Sequence, residues 1–242
     1  MNDLPYSEHA CTLSLPGWEI PAALTLPAPL ESAVLPSAIL LIPGSLFSDV
    51  NGDYPSWNSF PHTAAHLARQ LSERGHAVYR YAKLGPGTGS VRADAANGIP
   101  LTWEGRLTIA IGALDAMRRE LDSHGIVVER VIGAGHSEGA VVVSRLAVAA
   151  QGATLDGVML LAGPSVGILE IMREQAGLGV PPELVDDARR RLDEAIGYIR
   201  RGEPVPAANI CSCPGFRTCS SSCRRALMPP PRSATPSRPT PA

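Results

Sequence analysis

Residues 133–139 read GAGHSEG, and the inner five, Gly135-His136-Ser137-Glu138-Gly139, fit the pattern G-x-S-x-G. In a chain with 23 glycines the pattern alone is a modest signal. Its setting is more specific. The β-type run VERVIGA (128–134) leads straight in, and the apolar helical run AVVVSRLAVAA (140–150) leads straight out. A serine on a tight strand-to-helix turn has its hydroxyl lifted above a sheet, and glycines flank it because backbones crowd there. Ser137 is therefore the candidate nucleophile, with Gly135, His136 and Gly139 completing the turn. The competing reading, a serine that caps the following helix, does not require glycine on both sides. A nucleophilic serine also needs N–H donors for the developing oxyanion. One is the backbone N–H of Glu138, at the positive end of the helix. The other is expected from the loop after LLIPGS (40–45), with Ser45 as the choice and Leu46 as the alternative. His136, adjacent to Ser137, should point away from the direction the nucleophile takes.

Working outward, SAILLIPGS (37–45) is a short continuous apolar run that suits a strand buried on both faces. ACTLSLPGWEIPAALTLP (10–27) reads as an N-terminal hairpin about Pro16-Gly17. PHTAAHLARQLSERG (61–75) carries helical spacing and a glycine stop. HAVYRYAKL (76–84) is a strand, residues 105–122 a helix, 138–152 a helix apolar enough to be buried on most sides, and LDGVMLLAG (155–163) a further strand. Strands and helices alternate with the connections that βαβ units need, so the fold class is α/β, a mostly parallel sheet with helices on both faces. This core is expected over 1–164. Residues 165–203 read as two amphipathic helices, a cap, a lid or a homodimer surface over 165–202. In the second, Pro181-Pro182 sits just inside the start, where proline is tolerated. Residues 204–242 hold 9 of the 23 prolines and six serines and read as a disordered tail.

Composition excludes several classes. Residues 1–203 carry about −7 and offer no basic stripe, so nucleic acid is not an expected partner. No run of 18 apolar residues is present and the N-terminus lacks a basic and an apolar leader region, so neither a membrane span nor a signal peptide is expected. A cytoplasmic location follows by default. No cofactor is expected. GPGTGS (85–90) lacks both the dinucleotide register and a P-loop lysine. SDVNGDY (48–54) lacks the terminal Glu of a calcium loop and reads as a turn-rich loop at the mouth of the site. Cys211, Cys213, Cys219 and Cys223 do not have the spacing of common zinc sites, so adventitious disulfides are the expectation and metal none.

LLIPGS, LSERGHAV (71–78), YAKLGPGTGS (81–90) and GAGHSEG together resemble the bacterial α/β-hydrolase superfamily, most nearly its esterase and serine-aminopeptidase-like branch. The resemblance covers about residues 10–205. Two loops depart from that branch. Pro43 stands in the usual histidine place of the first loop, and Ala82 stands where the second often has Asp. The resemblance implies a serine enzyme that hydrolyses esters or related acyl bonds of a small-molecule substrate.

It also implies a catalytic acid and a histidine after the serine, in that order. No histidine follows His136, and no Asp or Glu follows Glu203. Asp156 enters its strand from the wrong end. Asp186, Asp187 and Asp193 belong to a charged helix face. Of the earlier histidines, topology permits His62 or His66 to approach Ser137, with a surface or pocket-lining role as the expected one. His76 opens a strand at the opposite edge, and His124 lies in a bottom loop. A full member would continue with a strand, its Asp, a helix, a strand and the His loop. The change of composition near Ala207 is that of a G+C-rich gene read in a shifted frame, so a truncated or frame-shifted hydrolase is expected. The other two reading frames of the downstream nucleotides test this. Two functions follow: a serine hydrolase impaired by missing partners, or a non-catalytic protein that binds a ligand in the old pocket.

Overall fold

The computed structural model describes residues 5–94, 98–100, 102–148, 155–178 and 180–206. The expected tail, with its four cysteines, lies outside the described residues from 207 onward. The elements in chain order are β1 (Tyr6–Leu15), β2 (Trp18–Pro27), β3 (Val34–Leu35), β4 (Ala38–Ile42), α1 (Thr63–Ser72), β5 (Ala77–Tyr81), β6 (Val91–Arg92), α2 (Trp103–Ser123), β7 (Val127–Val128), β8 (Val131–His136), α3 (Glu138–Val148), β9 (Gly157–Leu161), α4 (Ile168–Ala176) and α5 (Val185–Arg200). The chain divides into two compact units, Met1–Ser165 and Val166–Ala242.

In the first unit the sheet runs β1-β2-β5-β4-β8-β9, with β6 added beside β2. The β1/β2 hairpin and the β2/β5 pair are antiparallel; β5, β4, β8 and β9 are mutually parallel. β4 is the middle of the parallel part, and all five of its residues are buried. That is why its sequence is a continuous apolar run rather than an alternating one. Its side chains still divide by parity. Ala38, Leu40 and Ile42 join the core that includes α2 and α3, while Ile39 and Leu41 join the smaller core that includes Ala68 of α1. Each fully buried leucine there contributes roughly 1.5–3 kcal/mol, so the strand that leads into the first site loop is firmly held.

Parity carries over to β8. Ala134 packs in the α1-side core, so His136, two residues on, turns toward the same face, and Ser137 follows at the end of the strand. Helix α3 departs from its expectation. Its buried residues lie on one side, from Glu138 through Leu146, and Val148 is 79% exposed. An all-apolar stretch is thus covered on one face only; the residues that would extend it to 152 lie outside the described ones. The two-residue strands β3, β6 and β7 carry no periodic signal and were not expected.

The second unit holds α4 and α5. A 3-10 turn over Pro182–Leu184 precedes α5, so the prolines sit before the helix rather than within its first turn. Arg173–Asp193 at 2.6 Å and Arg189–Glu174 at 3.3 Å join the two helices. These are exposed pairs, worth at most about 1 kcal/mol each. No described helix is long and apolar enough to cross a membrane.

Candidate active site

The turn from β8 into α3 places Ser137 at φ +52°, a left-handed conformation that a non-glycine residue rarely adopts. Its N–H donates to the Leu161 carbonyl at 2.8 Å, and its own carbonyl accepts from Ala140 N–H at 3.0 Å. The bend is therefore tied to β9 on one side and to α3 on the other. A Cβ at Gly135 would stand 2.1 Å from the Gly139 oxygen, and one at Gly139 would stand 2.4 Å from the Ile42 oxygen. Both obstacles are backbone. The two glycines are required because β8, α3 and the end of β4 meet here with no room for side chains.

Glu138 opens α3, so its N–H belongs to the first turn and has no intrahelical acceptor. Across the turn lies the loop after β4. A Cβ at Gly44 would sit 3.2 Å from Ser137 Cβ, so this loop runs against the serine. Among the described residues neither the Ser45 nor the Leu46 N–H has a partner, and Leu46 is itself left-handed at φ +72°.

The Glu138 side chain is buried, which its place in the sequence did not foretell. Ser45 Oγ donates to Glu138 Oε2 at 2.8 Å, Lys83 Nζ lies 3.6 Å from Oε1, and the Arg106 guanidinium of α2 closes on the same oxygen. Lys83 Nζ also donates to the Gly44 carbonyl at 2.6 Å. Burial, and after it the Arg106 charge, push the Lys83 ammonium down to about 7. The Glu138 carboxylate works against both. At 3.6 Å it favours the ammonium form.

The candidate partners of the serine are dispersed. Among the described residues no histidine ring and no carboxylate is hydrogen-bonded to Ser137 Oγ. Asp156 accepts from Val131 N–H at 2.7 Å, at the N-terminal end of β8. Asp187 pairs with Arg190 and Arg191, and Asp193 with Arg173, all in the second unit. His76 meets Ser37 Oγ at 2.9 Å, and His124 contacts the Glu120 carbonyl and His9.

His62 is different. Its Nδ1 lies 2.7 Å from Asp53 Oδ2, and its backbone N–H donates to Oδ1 at 2.6 Å. A carboxylate accepts only, so the ring proton sits on Nδ1. Asp53 is almost fully buried, while the His62 ring is 51% exposed, with His66 edge-on at 6.1 Å. The pair spans a turn-rich loop whose Asp49 Oδ1 accepts from Asn51 and Asp53 N–H. Nothing periodic in the sequence joins Asp53 to His62.

Beside the elbow is a cavity of about 180 Å³, lined among others by Leu41, Pro43, Gly44, Leu67, His136 and Leu161. Asp49, Gly52, Thr63 and Ala64, from the loop and the start of α1, close its other side.

A serine on a strained strand-to-helix turn, on this sheet order and with the loop after β4 against it, is the arrangement of an α/β hydrolase. The profile described as the alpha/beta hydrolase family matches residues 39–240, and the chain belongs to that family. Several solved structures are similar to this chain. A hypothetical protein from Pseudomonas aeruginosa is 16% identical, with a TM-score of 0.50 over 84% of this chain and 56% of that one. A lidless α/β serine hydrolase from Xanthomonas campestris is 21% identical, with a TM-score of 0.43 over 65% of this chain and 62% of its own. Est1E from Butyrivibrio proteoclasticus is 23% identical, with a TM-score of 0.45 over 72% and 59%. The chain thus spans less than two thirds of each of these structures. No curated protein matches.

Proposed function

We propose that this chain is a serine hydrolase of carboxylic esters or related acyl bonds, with Ser137 as nucleophile and the N–H groups of Glu138 and Ser45 as oxyanion donors. The observation that carries the reading is the strained Ser137, φ +52°, between two glycines whose positions admit no Cβ. Strain of this kind is kept where geometry matters more than stability. In the reaction Ser137 Oγ bonds to the acyl carbon and the carbonyl electron pair moves onto oxygen between the two N–H groups; the pair then returns, the C–O bond to the alkoxide breaks and the alkoxide leaves with the serine proton, after which water adds to the acyl-serine in the same way, releasing the carboxylic acid and restoring the Ser137 hydroxyl.

The proton is the weak point. With no base on Ser137 Oγ among the described residues, the hydroxyl is a poor nucleophile. Turnover by this chain then rests on binding and the oxyanion donors, which alone give about 10³–10⁴-fold over water. The unpartnered hydroxyl favours a second reading, a non-catalytic ligand-binding protein that uses the same cavity. An activated p-nitrophenyl phosphonate separates the two. Stoichiometric p-nitrophenol release with the adduct on Ser137, abolished by Ser137→Ala, supports the hydrolase. Absence of any Ser137-dependent adduct refutes it and leaves the binder.

A further inference from the structure

We propose that the Glu138 and Lys83 side chains are positioning residues that fix the oxyanion loop, a role that rests on the hydrolase reading above. The two groups hold one peptide from both ends. Lys83 Nζ takes the Gly44 carbonyl at 2.6 Å, and Glu138 Oε2 takes the Ser45 hydroxyl at 2.8 Å. The Gly44 carbonyl and the Ser45 N–H belong to one planar trans peptide, so they point in opposite directions. Anchoring the carbonyl on Lys83 aims the Ser45 N–H the other way, away from the ammonium. A rotation of that peptide would turn a carbonyl oxygen toward the place where negative charge develops, reversing its effect. Gly44 makes such a rotation easy, since it lacks the Cβ that would resist it; the Lys83 contact opposes it.

The anchor is itself anchored. Lys83 N–H donates to the Ser48 carbonyl at 2.9 Å and its carbonyl accepts from Ser90 Oγ at 2.9 Å. Both its backbone groups are therefore fixed just past the end of β5. Glu138 is fixed by the first turn of α3 and by Arg106. The residue whose N–H is the first oxyanion donor thus uses its side chain to hold the loop that carries the second. Oxyanion donors act through preorganisation, and this pair supplies it without touching the substrate.

The test uses the full chain and the same phosphonate. Lys83→Met is expected to slow phosphonylation of Ser137 by about 10–100-fold at saturating probe, a fraction of what losing an oxyanion donor outright costs. The probe concentration for half-saturation should change less than about threefold, because ground-state binding does not use the oxyanion donors. Lys83→Arg should recover most of the rate. Amide exchange at residues 44–46 should quicken in Lys83→Met. Glu138→Gln keeps the shape and the bond from Ser45 but lowers the charge on Lys83's partner, and covers the case in which Lys83→Met does not fold; it too should slow labelling. Labelling within about threefold of wild type in a folded Lys83→Met or Glu138→Gln chain overturns the positioning role. Failure of the wild type to label at all overturns the hydrolase reading instead. Exchange at 44–46 then judges the anchor alone, and rates unchanged by Lys83→Met overturn it.

Discussion

Replacing Ser137 by glycine should make this protein more stable, and replacing it by alanine should not. Ser137 Oγ has no hydrogen-bond partner among the described residues, so either change removes a hydroxyl that holds nothing. The two differ in backbone only. At φ +52° any residue with a Cβ carries a penalty of about 1–2 kcal/mol that glycine escapes. Glycine gives back about 0.5–1 kcal/mol through the greater entropy of the unfolded chain. The net advantage of Ser137→Gly over Ser137→Ala is therefore about 0.75 kcal/mol, within a range of about 0–1.5 kcal/mol. That corresponds to about 1–4 °C in Tm for a chain of this size. Guanidinium unfolding followed by tryptophan fluorescence, with equal slopes for the two variants, measures it directly. A Ser137→Ala chain as stable as Ser137→Gly, or more so, would refute the left-handed serine and with it the elbow. The comparison does not depend on catalysis, so it judges the geometry even in an impaired chain.

Gly135→Ala should cost about 1–3 kcal/mol or more by forcing backbone apart, and slow Ser137 labelling by about 100-fold through a displacement of about 1 Å; a variant with wild-type stability and rate would count against the crowding. Asp53→Ala should destabilise by about 2–3 kcal/mol, since it removes the buried acceptor of two His62 donors, whereas His62→Ala should cost less because its ring is half exposed; denaturation curves in which the order is reversed would refute the assignment. Cys11 is pushed up to about 11, first by burial and then by Glu120. Its thiolate at pH 8 is therefore about 100-fold scarcer than that of an unperturbed thiol. Peptide-resolved iodoacetamide labelling should show Cys11 slow in the native chain, accelerating as pH rises toward 11, and fast in denaturant; equal native and denatured rates would refute it.

The sheet was legible because its parallel strands are apolar, β4 and β5 being buried along their whole length while Val158 and Leu160 of the edge strand β9 are exposed. SAILLIPGS and LDGVMLLAG stand out as continuous apolar runs, and the hairpin shows in the turn at Pro16-Gly17. The elbow was legible because its glycines answer a local demand, the close approach of β8, α3 and the end of β4. Burial of α3 was overestimated because apolar composition states what a helix can bury, not what is there to cover it; Val148 lies open. The side-chain contacts around the site were not legible. Glu138, Lys83, Arg106 and Ser45 come from four separate segments, as Asp53 and His62 come from two ends of a loop. A contact of this kind is made by the fold and leaves no period in the chain.

Glu138 also poses an electrostatic problem that its neighbours solve. A carboxylate one residue from the nucleophile lies near the oxygen that must become negative, and at low effective dielectric like charges a few ångströms apart repel by several kcal/mol. An isolated acid there would raise the very barrier that its own N–H lowers. Lys83 and Arg106 both close on Glu138 Oε1, so the Glu138 carboxylate is countered by Arg106 and, where protonated, by Lys83 as well. On the proposed mechanism the developing oxyanion then faces two N–H groups, the positive end of α3 and a cluster without net negative charge. On this argument the charge of Lys83 and Arg106 matters as well as their contacts. Arg106→Gln, which keeps a polar group but removes a charge, should slow Ser137 phosphonylation by about tenfold, and 1 M salt should lessen that difference only slightly because the pair is largely buried. Arg106→Gln labelling as fast as wild type would refute the electrostatic role of the Arg106 charge.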